Sequence, residues 1–302
     1  METKSNDLMK KIQSSIPDFS KGQKLIANFI INHYDKAAFM TAAKLGEEVG
    51  VSESTVVRFA NEIGFDGYPK LQKVLKELIK SKLTSIQRIE VSSSRISEDN
   101  IIKSVLQSDM EKIKLTLEDI DTNTFNNAVE SILNAKKIYI LGVRSSAPLA
   151  SFLGFYFNLI FDNVRLVHTT SVSEMFEQII YASENDVVIG ISFPRYSKRT
   201  INALKFGKSR GATVISITDS IESPLAQCSD HSLIARSDMA SFVDSLVAPL
   251  SVINALIVAI GIRRKQHVYD TFENLEKIWE EYQIYEKHDE DHEAVIRKET
   301  DI

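Results

Sequence analysis

The chain is predicted to fold as an all-α helix-turn-helix domain followed by an α/β domain built on a doubly wound parallel sheet. Three observations carry this. Residues 20–80 repeat apolar side chains at helical spacing with no β-branched run long enough for a strand. Beyond residue 100, short β-rich runs alternate with helical stretches. Charge divides at the same place: residues 1–90 hold 14 basic and 11 acidic side chains, whereas the remainder is clearly acidic within a whole-chain net charge of −5. At 302 residues and 43% hydrophobic content, there is enough chain and apolar surface for two cores.

In the first domain, Leu25, Ile26, Phe29 and Ile30 form one apolar helix face, and Leu71, Val74, Leu75, Leu78 and Ile79 form another. Between them lies TAAKLGEEVGVSESTVVRFANEIG, residues 41–64. Ala42, Leu45 and Val49 share one side of a first helix; Gly50 can take the left-handed conformation that ends it, and Val51 plugs the turn. Ser52 is the expected N-cap of a second helix whose Val56, Phe59 or Ala60, and Ile63 face inward. Ser52, Ser54, Thr55, Arg58 and Asn61 are then the outward face. Hydroxyls at a helix start suit phosphate contacts, and a guanidinium one turn further in can reach a guanine edge in the major groove. This order of helix, glycine turn, small cap and outward polar face points to double-stranded operator DNA as a partner. GFDGYP, residues 64–69, should then turn the chain into a helix starting near Pro69. Lys70, Lys73 and Lys76 on that helix suit phosphate contacts or simply form a solvated face.

TSIQRIEVSSSRISED, residues 84–99, is rich in serine and charge and reads as a linker or a loosely held helix. The expected organisation is a DNA-binding domain over 1–83, a linker over 84–105, the α/β domain over 106–285 and an acidic, disordered tail over 286–302.

Strands are expected at Lys137–Leu141, Val164–His168, Asp186–Ser192, Thr213–Thr218 and His231–Ala235, and helices at Ala147–Ile160, Val172–Ala182, Lys198–Ser209 and Ser241–Ile262. Short apolar strands separated by helices form a parallel sheet covered on both faces.

Two strand-to-helix junctions carry unusual chemistry. In IYILGVRSSAPLA, residues 138–150, a strand ends at Gly142, and Ser145 and Ser146 precede a helix with Pro148 in its first turn. Backbone N–H groups at such a start, with two hydroxyls, can cradle an anion. In VVIGISFPRYSKRT, residues 187–200, Ser192, Ser197 and Thr200 stand where a strand passes into a helix, together with Arg195, Lys198 and Arg199. Both junctions should open at the carboxyl ends of their strands, where doubly wound sheets bind ligands, and a small phosphorylated metabolite fits. Serines acting only as N-caps would explain one junction better than two. Neither loop is a dinucleotide or Walker motif, and the sequence has no zinc or EF-hand pattern, so no cofactor or metal is expected. His288 and His292 are spaced like ligands, but nothing nearby completes a site.

One cysteine, Cys228, cannot form an internal disulfide, and the N-terminus lacks the apolar core of a secretory signal, so a cytoplasmic protein is expected. Phe242–Ile262 approaches the length of a membrane span. Its Asp244, Pro249 and Asn254 favour a buried helix instead, with part of its face in a dimer core.

VSESTVVRFANEIGFDGYPKL together with LGVRSSA, ISFPRYSKRT and GATVISITDSIESPLAQCSDHSLIA resembles the RpiR-type transcriptional regulators, in which a helix-turn-helix joins a sugar isomerase (SIS) domain. The resemblance spans roughly residues 1–265. It implies a homodimer or homotetramer that regulates sugar catabolism and senses a phosphorylated sugar, with no membrane involved. Carried over residue by residue, Gly142, Ser145 and Ser146 match the first phosphate loop. The second loop of SIS domains commonly reads S-x-S-G-x-T: Ser192 fits its first serine and Ser197 its threonine, but Pro194 and Arg195 replace the central Ser-Gly. Either Arg195 holds part of the phosphate or the effector differs from the family's usual one.

SIS folds also include aldose–ketose isomerases, which need a tuned general base. His168, Glu174 and Glu177 are the candidates here, each with an ordinary structural role open to it. The fused DNA reader and the lack of a diagnostic catalytic constellation favour a regulator over an enzyme.

Overall fold

The structure is a computed structural model that describes residues 2–80, 89, 100–168, 171–237 and 243–285, without the side chains of 2–7 and 77–80. Most of the expected linker, the 286–302 tail with His288 and His292, and the side chains of Leu78 and Ile79 lie outside the described residues.

The amino-terminal region is helical throughout. Its elements are α1 (Glu2–Ser15), α2 (Lys21–Asn32), α3 (Tyr34–Ala37), α4 (Ala42–Val49), α5 (Glu53–Glu62) and α6 (Tyr68–Lys80). A capping box starts α2: the Ser20 hydroxyl accepts from Gln23 N, and the Gln23 side chain accepts from Ser20 N. The core gathers Ile12, Ile26, Ile30, Leu45, Val56, Phe59, Leu71 and Leu75, with Phe19 edge-on to Phe59 at 5.3 Å between ring centroids. Tyr68 ties α6 to the end of α3. Its buried hydroxyl donates to the carbonyl of Ala37 (3.0 Å) or Met40 (3.1 Å), and burial raises its pKa to about 12.

The remainder is α7 (Ile101–Asp119), α8 (Thr122–Leu133), β1 (Lys137–Gly142), α9 (Ala147–Ile160), β2 (Val164–Val167), α10 (Val172–Ile179), β3 (Asp186–Ile191), α11 (Lys198–Ser209), β4 (Thr213–Thr218), β5 (His231–Ile234), α12 (Val247–Arg263) and α13 (Lys265–Glu281). The five strands are all parallel in the order β2-β1-β3-β4-β5. The central strands are buried on both sides, as parallel strands covered by helices must be. One face presents Ile138, Ile140, Ile189, Ile191 and Ile215 to α8, α9 and α12; the alternate residues Tyr139, Leu141, Val188 and Val214 face α10 and α11.

Three expectations about elements need correction. The helix expected over Ser241–Ile262 begins at Val247, because residues 243–246 are non-helical and residues 241–242 lie outside the described residues. Its Ala248, Val252, Ile253, Leu256 and Ile260 fill this chain's own core, while Val258 and Ile262 remain exposed. The helix expected to end at Ala182 stops at Ile179. Finally, α7 starts at Ile101, inside the stretch assigned to the linker, because its packing partners come from the second half of the chain. No single helix among the described residues is long and apolar enough to cross a membrane; α12 and α13 meet at a bend of 96°.

Candidate functional site

In the helical region, Thr41 caps α4 by accepting from Lys44 N at 3.2 Å, and Gly50 ends it at φ +74°. That left-handed conformation costs glycine nothing and turns the chain directly into α5. Val56, Phe59, Ala60 and Ile63 are buried, which leaves Ser52, Ser54, Arg58 and Asn61 exposed and Thr55 half-buried. Ser52 occupies the N-cap position, but its hydroxyl makes no capping bond. It pairs instead with the hydroxyls of Ser54 (2.9 Å) and Thr55 (2.8 Å), forming a small cluster of hydroxyls at the helix start. Arg58 Nε donates to the carbonyl of Ser54 at 3.3 Å, and no Arg58–Glu62 ion pair forms among the described residues.

Two residues of this face are more engaged than their exposure suggests. The Asn61 carbonyl oxygen accepts from Gly67 N at 2.9 Å and so fixes the turn into α6. Lys70 pairs with Asp66 at 2.7 Å, and its hydrogen bond and charge hold that carboxyl below the usual carboxylate range.

The second region lies at the carboxyl end of the sheet. β1 and β3 are neighbours, but the chain leaves them for opposite faces, through α9 and α11, so a crevice opens between their ends. A cavity of about 970 Å³ occupies it. The first loop contributes Arg144, Ser145 and Ser146, and the second contributes Ser192, Arg195, Ser197, Lys198 and Arg199. Gly142 does not line the cavity. Its place is steric, since a Cβ there would lie 2.6 Å from the carbonyl oxygen of Ser146, so only glycine lets the loop fold back this tightly. Arg144 itself adopts φ +57°, an uncommon conformation for a residue with a side chain.

The second loop is closed by its own serines. The Ser192 hydroxyl, almost fully buried, accepts from Ser197 N at 3.1 Å; the Ser197 hydroxyl caps α11 by accepting from Thr200 N at 3.4 Å. A serine hydroxyl has one proton to donate besides the lone pairs it accepts with, so each keeps a donor for a ligand. Capping and cavity lining are therefore compatible here. Thr200 is fully buried, its hydroxyl has no hydrogen-bond partner among the described residues, and it does not line the cavity. Four of the residues that the loops contribute are cations, Arg144, Arg195, Lys198 and Arg199, and the lining also holds one carboxylate, Asp244. Such a set of donors and positive charge can hold an oxyanion through charge-assisted hydrogen bonds.

Sequence reasoning did not assign Arg144, Tyr196, Val243, Asp244 or Leu246 to the site, although all of them line the cavity. Arg144 sits inside the first motif and was within reach. The segment 243–246 carries no motif and arrives only through the fold. His168, Glu174 and Glu177 are not among the cavity-lining residues; the carbonyl of His168 accepts from the Gln178 side chain.

Comparisons with known proteins agree with this division. The helix-turn-helix domain of the rpiR family matches residues 6–82, and the SIS domain matches residues 131–259. The chain is 26% identical over 286 residues to the HTH-type transcriptional regulator HexR of Escherichia coli, covering 91% of this chain and 95% of that one. It is 27% identical over 219 residues to an uncharacterized HTH-type transcriptional regulator of Clostridium perfringens, covering 71% and 76%. Among solved structures, the sugar isomerase domain of an RpiR transcription factor from Sphaerobacter thermophilus superposes with a TM-score of 0.54 at 26% identity, covering 57% of this chain and 96% of that one. The Vibrio vulnificus NanR protein, solved with ManNAc-6P, superposes with a TM-score of 0.54 at 20% identity, covering 90% and 97%. With an rpiR-family DNA-binding domain ahead of a SIS domain, the chain belongs to the RpiR-type transcriptional regulators.

Proposed function

We propose that this regulator senses a phosphorylated sugar in the cavity between the loops at 142–146 and 192–200, and that the bound sugar changes its affinity for operator DNA. In this reading Ser145, Ser146, Ser192 and Ser197 donate to the phosphoryl oxygens, Arg195 supplies positive charge, and Gly142 shapes the first loop. Ser52, Ser54, Thr55 and Arg58 meet DNA phosphates and bases, while Asn61 and Lys70 support the turn and helix behind them. Residues 1–83 form the DNA-binding unit, and the sensing unit runs from the start of α7, inside the 84–105 stretch, to residue 285. The working form is a homodimer or homotetramer, which sets two recognition helices about 34 Å apart or at multiples of that distance.

The observation that carries the reading is the shared cavity: two hydroxyl-bearing loops, far apart in sequence, line one crevice at the switch point together with four cations. NanR, a protein of similar fold, was solved with ManNAc-6P, which accords with a phosphosugar in this crevice.

Thermal unfolding against a panel of phosphorylated sugars tests the sensor, since a ligand of the native state raises the midpoint by mass action. Electrophoretic shifts of duplex DNA from its own operon, with and without the stabilising sugar, test the coupling. Failure of every phosphosugar to stabilise the protein would overturn the reading, and turnover of one of them would put an isomerase in its place.

A further inference from the structure

We infer that residues 243–246 are the mechanical link between the cavity and α7, the helix that leads back through the linker to the DNA-binding helices. The inference rests on the cavity being the effector site. Val243, Asp244 and Leu246 line the cavity, whereas the side chain of Ser245 is engaged with α7. The Ser245 hydroxyl donates to Asp109 Oδ1 at 2.6 Å, and the same carboxylate oxygen takes the Lys112 ammonium at 3.4 Å. Lys112 is only 3% exposed, and it also donates to the Ser108 hydroxyl at 2.8 Å. A second clasp lies about two to three turns along the helix, where the Thr116 hydroxyl accepts from Arg236 N at 2.9 Å and Asp119 pairs with the Arg236 side chain. Ser237 closes the pair of clasps by donating to the carbonyl of Ser245 at 3.0 Å. The connection between β5 and α12 therefore touches the ligand site on one side and grips α7 on the other.

Charge supplies the driving force. Asp244 is the one acid among the described cavity-lining residues, beside four cations. A phosphate dianion held by those cations would repel its carboxylate. Moving Asp244 moves Ser245, the next residue, against Asp109. The Asp109–Lys112 pair lies within α7 and travels with it, so the Ser245–Asp109 bond is the joint through which the displacement reaches the helix.

Hydrogen exchange by mass spectrometry on the full-length chain tests this, with inorganic phosphate as the probe. In the free protein, Ser245→Ala should speed exchange across residues 109–117 by roughly tenfold or more, the loss of one hydrogen bond to a charged group. Asp109→Asn, which keeps the shape but removes the charge facing Lys112, should do the same. Unchanged exchange in both variants overturns the inference whether or not phosphate binds. In the wild type, phosphate should alter exchange both at 192–200 and along α7; in Ser245→Ala it should alter 192–200 alone. If α7 responds equally in both proteins, the link is wrong while the cavity reading stands. If 192–200 does not respond to phosphate or to any phosphosugar, the cavity reading fails and the free-protein comparison still decides the link.

Discussion

The hydroxyl of Ser192, at the end of β3, accepts the amide hydrogen of Ser197 at 3.1 Å, so one side chain closes the loop that lines half of the cavity. Ser192→Ala leaves that amide without its partner, and the expected cost is about 1–2 kcal/mol in a urea titration. Binding of the stabilising phosphosugar should weaken at least roughly tenfold by calorimetry, the equivalent of one charge-assisted bond. Ser145→Ala, at an exposed position, should weaken binding without the stability loss. The double variant should lose the effector response yet shift operator DNA as the wild type does.

Gly142→Ala tests the fold-back of the first loop. The new methyl group would meet the carbonyl oxygen of Ser146 at 2.6 Å, a backbone atom that cannot rotate away. The loop must open, at an expected cost of about 1–3 kcal/mol, and phosphosugar binding should fall with it. Wild-type stability and binding in this variant would show that the loop has slack.

Arg58→Ala should weaken operator binding by roughly 1–3 kcal/mol and relax specificity at one base position, with effector affinity unchanged. Asp66→Asn should act in the opposite sense. It releases Lys70 from its 2.7 Å ion pair and should increase the salt dependence of DNA binding by about one phosphate contact. Titrations at several salt concentrations separate the two effects. An Arg58→Ala protein that binds its operator like the wild type would move the recognition face elsewhere.

Tyr68 gives the DNA-binding region a signature at high pH. Its folded pKa of about 12 lies above the ordinary 10.0, because the buried phenolate would lose its hydration. A raised folded pKa means stability that is complete below pH 10 and declines between pH 10 and 12, as the unfolded state gives up its proton first. The loss should approach about 3 kcal/mol over that window. Tyr68→Phe should abolish this decline. It should also cost about 1 kcal/mol at neutral pH for the one hydrogen bond lost, since the carbonyl of Ala37 still accepts from Met40 N and that of Met40 from the Gln72 side chain. Circular dichroism of denaturant melts at both pH values reads the difference.

Much of the architecture is written locally. The runs KIYIL and TVISIT become central strands because alternate residues meet helices on opposite faces. Gly50 and Ser52 mark the helix turn because few other residues suit those backbone positions. The two cavity loops were visible for the same reason, each being a strand end followed by small hydroxyl residues. Residues 243–246 were not visible, because Asp244 acquires its setting only when this short segment ahead of α12 meets the loops at the sheet's carboxyl edge. α7 was partly hidden too: it is fastened by Ser245 and Arg236, more than a hundred positions away, which no local pattern records. Ser52 shows a subtler gap, since the sequence marks where a cap belongs but not that neighbouring hydroxyls will capture its side chain.

The strand order has an evolutionary corollary. Both crevice-lining turns hang from the tips of β1 and β3, whose own side chains are wholly interior along most of their length. An exposed residue at a tip, such as Arg195, can therefore be exchanged without disturbing the layers beneath. If the crevice is the sensor proposed above, descendants of one ancestral scaffold can adopt new chemical signals at little folding penalty.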